Sequence, residues 1–181
     1  MLHILRQIAR TGIRTEAPPS PADEAHDIGR LSAAVRRVLG RALTIRMVDA
    51  GSCNGCDLEI NALGNPYYNL EGLGIRFVAS PRHADLLLVT GPVSKHMAIA
   101  LRRTYDATPE PKIVVAVGDC GCHGGIFGES YACVGRVSNV IPVDVEVPGC
   151  PPTPTALLRG ILAAITPRGP GATVPPVGGG G

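Results

Sequence analysis

The chain has 181 residues and a net charge of +2, with 45% hydrophobic and 18% charged residues, enough apolar material for one domain with its own core. The even charge balance argues against a nucleic-acid partner, and four Tyr, two Phe and no Trp leave little to stack on bases. No apolar run approaches the roughly 18 residues of a transmembrane helix.

Residues 1–14, MLHILRQIARTGIR, set Leu2, Ile4, Leu5 and Ile8 against Arg6, Arg10 and Arg14. The stretch is amphipathic, and its arginines interrupt it before the apolar core of a secretory signal can form. Residues 15–22 read as a linker. Asp23 is placed to cap a helix through Leu39, with Gly40 as its stop and Arg30, Arg36, Arg37 and Arg41 giving it a basic side. That side is either a solvated face or a contact to an anionic membrane surface or acidic partner. Residues 1–41 are thus expected to form an N-terminal docking segment.

From Ala42 the pattern changes to short apolar runs. Thr44–Val48, Ile75–Ala79, Leu86–Thr90 and Ile113–Val117 are expected strands, with Val140–Val143 a weaker fifth. LLLV and IVVAV are near-continuous apolar runs, as strands buried on both faces require. Helices are expected near Asp57–Leu63, Lys95–Tyr105 and Thr153–Ile165. The alternation predicts an α/β, flavodoxin-like, doubly wound domain over residues 42–166, its mostly parallel sheet built of four to five strands. In such sheets ligands sit beyond the carboxyl ends of the strands. The Gly- and Pro-rich tail, 167–181, is expected to be disordered.

Five of the six cysteines fall in loops where that rule places a site. Cys53 and Cys56 form CNGC after the first strand, Cys120 and Cys122 lie in GDCGCHGG after the fourth, and Cys150 lies in PGCPPTP before the last helix. Cys133 stands apart. Thiolates converging from distant loops suit an iron–sulfur cluster or Zn²⁺, and unligated buried or redox-active thiols are the third reading. One CxxC with scattered partners favours a cluster over the paired knuckles of a zinc ribbon. Gly51, Gly55, Gly118, Gly121 and Gly149 let backbone come close to sulfur and offer N–H donors. Pro148, Pro151 and Pro152 stiffen the last loop. No GxxxxGK[ST] and no GxGxxG appear, which disfavours nucleotide chemistry.

In order, GSCNGCDLEI, SPRHADLLLVTGPV, VGDCGCHGGIF and IPVDVEVPGCPPTP resemble the small subunit of membrane-associated, energy-converting and formate-hydrogenlyase-type [NiFe] hydrogenases, homologous to the 20 kDa subunit of respiratory complex I. The resemblance covers roughly residues 42–165. It implies one proximal [4Fe–4S] cluster on Cys53, Cys56, Cys120 and Cys150. Cys120 is preferred to Cys122 because Gly118, Gly124, Gly125 and Phe127 match the family spacing around it. The complex I branch carries two adjacent cysteines at the first motif, and Gly55 stands where the first would fall. Arg36–Arg37 precedes no apolar export segment, unlike the twin-arginine signal of periplasmic relatives.

The resemblance further implies an electron-transfer subunit of an oxidoreductase complex, with a hydrogenase large subunit, a ferredoxin-like iron–sulfur subunit and membrane-arm subunits as partners, peripheral on the cytoplasmic side of the inner membrane. A complex I-like quinone reductase and a hydrogenase-related complex without nickel are the alternatives, and a zinc-stabilised binding module is a fourth. Arg82 and His83 are expected to compensate the charge of the cluster from nearby. Gly55, Gly121 and Gly149 are expected beside it. Glu59, one helical turn after Cys56, is expected on a proton route or at a subunit interface. Asp49, Asp57 and Asp119 flank the same loops without being ranked; His96 and His123 are titratable candidates, and Cys122 and Cys133 have no assigned role.

Overall fold

The computed structural model describes residues 2–12, 29–30, 33–35, 37, 40–166 and 172–173. After helix α1 (Leu2–Thr11) come strand β1 (Leu43–Asp49), α2 (Gly55–Ala62), β2 (Ile75–Phe77), β3 (Leu86–Thr90), β4 (Val93–Ser94) and α3 (Lys95–Ala107). The chain continues through β5 (Ile113–Val117), α4 (Gly118–His123), β6 (Cys133–Gly135), β7 (Val145–Val147), α5 (Pro154–Ile165) and β8 (Ala172–Thr173). Much of the helix expected over Asp23–Leu39 lies outside the described residues, as do the linker and most of the tail. Residues 29–30, 33–35 and 37 are helical, with Ala34 and Val35 in the core.

The main sheet runs β2-β1-β3-β5-β7-β8 with every pair parallel, which is the expected doubly wound order extended by a two-residue edge strand. β4 and β6 form a separate antiparallel pair. Strand residues alternate between two apolar layers. Leu86, Leu88, Val115 and Val117 meet Ile60 of α2 and Leu157, Leu158 and Ile161 of α5 on one face. Leu87, Val89, Val114 and Ala116 meet Leu101 of α3 and Cys122 of α4 on the other. Leu86, Leu87 and Leu88 are fully buried, each worth about 1.5–3 kcal/mol before the entropy of ordering the chain.

Several expected bounds shift by one or two residues, and one strand moves further along the chain. The fifth strand is not Val140–Val143 but Val145–Val147. Pro142 has no N–H for a ladder, and Asp144 starts the pairing instead: its amide donates to Val114 O at 2.9 Å and its carboxylate accepts from Val114 N at 2.8 Å. The last helix begins at Pro154, with Thr153 as its cap, its hydroxyl accepting from Ala156 N at 3.2 Å.

Register fixes the site. Asp49 pairs with Thr90, Thr90 with Val117 and Val117 with Val147, so one row marks the carboxyl edge of four strands. The loops carrying Cys53, Cys120 and Cys150 leave from that row.

Candidate metal centre

The first loop is folded by Asp49, whose carboxylate accepts from Gly51 N at 2.8 Å and Ser52 N at 2.7 Å. Asn54 then takes the left-handed conformation, φ 69°, a region asparagine enters at low cost, and starts α2. Cys53 is left exposed ahead of the helix, whereas Cys56 is turned inward and buried. Asp57 follows it into the interior, 7% exposed, and accepts from the hydroxyls of Ser52 and, at 3.0 Å, Thr90. The first loop is thereby fastened to the end of β3.

The second and third loops are fastened to each other. Asp119 N donates to Gly149 O at 2.9 Å, and Gly149 N donates to Asp119 Oδ1 at 2.7 Å. Gly118 lies where all three loops meet. Its φ is +78°, and a Cβ there would stand 2.5 Å from Cys56 Sγ and 3.4 Å from Gly149 O. Past α4, a Cβ on Gly125 would stand 2.6 Å from Cys120 Sγ. Both glycines therefore leave room that the sulfurs occupy. A Cβ on Gly149, φ +135°, would meet Pro152 Cα at 2.6 Å, so the Gly-Cys-Pro-Pro turn requires glycine there.

The charges of Cys53, Cys120 and Cys150 all act on Cys56, and those of Cys53 and Cys150 act on Cys120. Burial pushes the Cys56 thiol up to about 12, and the charge of Asp57 and of Cys53, Cys120 and Cys150 adds to it. Cys120 is raised by burial first, then by Cys150, Cys53 and Asp119. Like charges gathered in one partly buried place oppose ionisation until a cation joins them. Among the described residues no three His, Cys, Asp or Glu side chains form a group suited to one metal ion.

Cys122, two residues from Cys120, points the other way. It is 1% exposed in the second apolar layer, and its Sγ donates to Ala116 O at 3.6 Å. Cys133 sits half-buried in β6, opposite Ser94. Gly55 opens α2, where a Cβ would lie 3.6 Å from Cys53 Sγ. A Cβ on Gly121 would meet Val89 O of β3 at 3.5 Å and Val137 at 3.7 Å. Glu59 is half-exposed on α2, one turn from Cys56.

Arg82 and His83 are not brought to the cysteines. Ser80 and Pro81 set a short 3-10 turn ahead of β3, so both residues lie at the amino edge of the parallel sheet. They line a cavity of about 460 Å³ there with Arg41, Asp85 and Glu110. The expectation that Arg82 compensates charge beside Cys56 fails because β3 separates the two edges. His96 is exposed near the start of α3, and His123 lines a polar cavity of about 260 Å³ with Glu129, Arg136 and Asn139. The aspartates are what sequence reasoning left unranked. Their signal was position: each directly flanks a cysteine loop.

Residues 53–164 match the family described as NADH ubiquinone oxidoreductase, 20 kDa subunit. The chain is 47% identical over 129 residues to a probable membrane-bound hydrogenase subunit of Pyrococcus furiosus, covering 71% of this chain and 77% of that protein. It is 41% identical over 160 residues to formate hydrogenlyase subunit 7 of Escherichia coli, covering 84% of this chain and 63% of that one. Among solved structures, a chain of an archaeal membrane-bound sulfane sulfur reductase superposes with a TM-score of 0.61 at 33% identity, covering 78% of this chain and 73% of the other. With its cysteine loops on the carboxyl edge of a doubly wound sheet and this match across them, the chain belongs to the 20 kDa subunit family of NADH ubiquinone oxidoreductase, whose members are subunits of oxidoreductase complexes.

Proposed function

We propose that this chain is the electron-transfer subunit of a membrane-associated, [NiFe] hydrogenase-type complex, holding one [4Fe–4S] cluster through Cys53, Cys56, Cys120 and Cys150. The observation that carries the reading is the buried Cys56 thiol with the other three cysteines around it. All four donors are sulfur, the ligand such clusters take. Gly118 and Gly125 leave the clearance sulfur needs.

When bound, the cluster takes up and gives back one electron at a time. The chain's own residues do the rest. Buried Cys56 and the core beneath it keep water from the inner side. Asp49 and Asp57 hold the first loop, and the Asp119–Gly149 pair locks the other two together, so the thiols keep their places when the charge changes. Exposed Cys53 and Cys150 turn the outer side towards other subunits. The hydrogenase large subunit and a ferredoxin-like subunit are the partners this implies, with the complex peripheral on the cytoplasmic side. No helix among the described residues is long and apolar enough to cross a membrane. Glu59, half-exposed one turn along α2 from Cys56, is the candidate for a proton route or a subunit contact.

Anaerobic purification with iron and sulfide analysis, followed by EPR of the reduced protein, tests the cluster. Four irons, four sulfides and a signal from one cluster per chain are expected. One zinc and no EPR signal overturn the reading. A second reading, a related complex that reduces sulfur instead of turning over H₂, is favoured by the likeness to the sulfane sulfur reductase. The intact complex separates the two: nickel with hydrogen turnover supports the hydrogenase, and an iron-only complex inactive towards H₂ supports the reductase.

A further inference from the structure

We infer that α1 is a docking helix for an anionic lipid surface. Every described side chain of α1 is exposed, including Leu2, Ile4 and Leu5, which turn most of their area to water. At helical spacing Leu2, Leu5 and Ala9 share one side, with Ile4 on its flank; Arg6, Arg10, His3 and Gln7 fill the other. A ten-residue helix is marginal in water by itself, so this one needs a surface to lie on.

Charge selects the surface. α1 carries two arginines and no acidic residue, and the nearest acid in the sequence is Glu16. Arg6 and Arg10 are stacked four apart along the border of the apolar side, next to Leu2. From there their long stems reach lipid phosphates while the leucines enter the acyl boundary. A protein partner would be expected to be matched by carboxylates on α1 as well as by cations, and the helix has none. This inference is independent of the cysteine reading, so either can fail without the other.

The test uses the full chain, purified anaerobically, in sedimentation with phosphatidylglycerol/phosphatidylcholine vesicles and with pure phosphatidylcholine vesicles. Binding to the anionic vesicles only, weakening as salt rises, is expected. Arg6→Glu/Arg10→Glu should weaken it by at least about tenfold, since each cation near such a surface is worth roughly a factor of five. Leu5→Glu should abolish it, while both variants keep the wild-type melting temperature because α1 lies outside the two core layers. Equal binding of wild type and variants overturns the inference. So does an absence of binding to anionic vesicles, including the case where α1 holds the chain to a membrane protein instead.

Discussion

Asp119 and Gly149 hold each other by two hydrogen bonds, amide to carbonyl at 2.9 Å in one direction and amide to carboxylate at 2.7 Å in the other. They neighbour Cys120 and Cys150 in sequence, so the pair sets how far apart two of the thiols stand. Asp119→Ala removes one bond and leaves the Gly149 amide without its acceptor, costing about 1–3 kcal/mol. Asp119→Asn keeps the acceptor oxygen. Iron content per chain should fall in the alanine variant and stay near that of the wild type in the asparagine variant. Equal iron in all three would detach the pair from the site.

Gly118 and Gly121, three residues apart, should respond oppositely. A Cβ on Gly118 would come within 2.5 Å of Cys56 Sγ on a backbone at φ +78°, so Gly118→Ala must push sulfur or loop aside. On Gly121 the nearest atom would be at 3.5 Å, an ordinary contact. Gly118→Ala is expected to lose most of its iron and Gly121→Ala to keep it, read by iron analysis and visible absorbance.

Asp57 is an ionisable side chain buried next to Cys56, held by the Ser52 and Thr90 hydroxyls. A fixed negative charge disfavours adding an electron nearby. Asp57→Asn is close to isosteric and should raise the reduction potential by tens of millivolts, the scale of one charge at an effective dielectric of about 20. EPR-monitored redox titration checks this, and an unchanged midpoint would leave Asp57 a purely structural role. The same titration on Arg82→Gln should show no change, since Arg82 lies at the other edge of the sheet.

What could be read beforehand follows from range. β3 and β5 declare themselves in LLLV and IVVAV because burial on both faces is a local property of sequence. The carboxyl-edge rule then put Cys53, Cys120 and Cys150 on one rim. No local pattern ranks the aspartates, because Asp57 meets Thr90 across 33 residues and Asp119 meets Gly149 across 30. The place of Arg82 just before β3 assigns it to the amino edge of the sheet, away from the cysteine loops. Val140–Val143 has the apolar content of a strand but Pro142 in its middle, and the pairing starts after it.

At that amino edge Asp85 ties β1 to β3. Its carboxylate accepts from Arg41, from Thr44 N at 3.0 Å and from Thr44 Oγ1 at 2.7 Å. Burial alone would raise its pKa, but the hydrogen bonds from Arg41 and Thr44 outweigh it and hold the carboxyl below its ordinary 3.8. A lowered folded-state pKa means stability present above pH 3.8 and lost as pH falls through the lower value. The Arg41 hydrogen bond is the largest lowering contribution, followed by those of the Thr44 hydroxyl and amide, and the exposed Arg41 is the one that solvent screens. Asp85→Asn should cost about 1–2 kcal/mol near pH 7. The gap to wild type in urea melts should close towards pH 3, and a constant gap would refute the assignment.

Cys122 supplies the alkaline counterpart and separates the two cysteines of CGC. Burial, with the charge of Glu146 behind it, pushes this thiol up to about 12, against a small pull downward from the Val147 amide. In the unfolded chain it ionises near 9.0. Stability contributed by the neutral thiol is therefore full below pH 9 and is lost as pH rises towards 12. Cys122→Ala should flatten part of that decline in the metal-free chain, where Cys56 contributes with the same sign. It should also lower stability at pH 7 by about 1 kcal/mol through lost packing. Because its sulfur faces Ala116 and the second apolar layer, Cys122→Ala should keep its full complement of iron, whereas Cys120→Ala should lose it. Loss of iron in both variants would mean that the loop fails as a unit; loss in Cys122→Ala alone would move the ligand to the other cysteine.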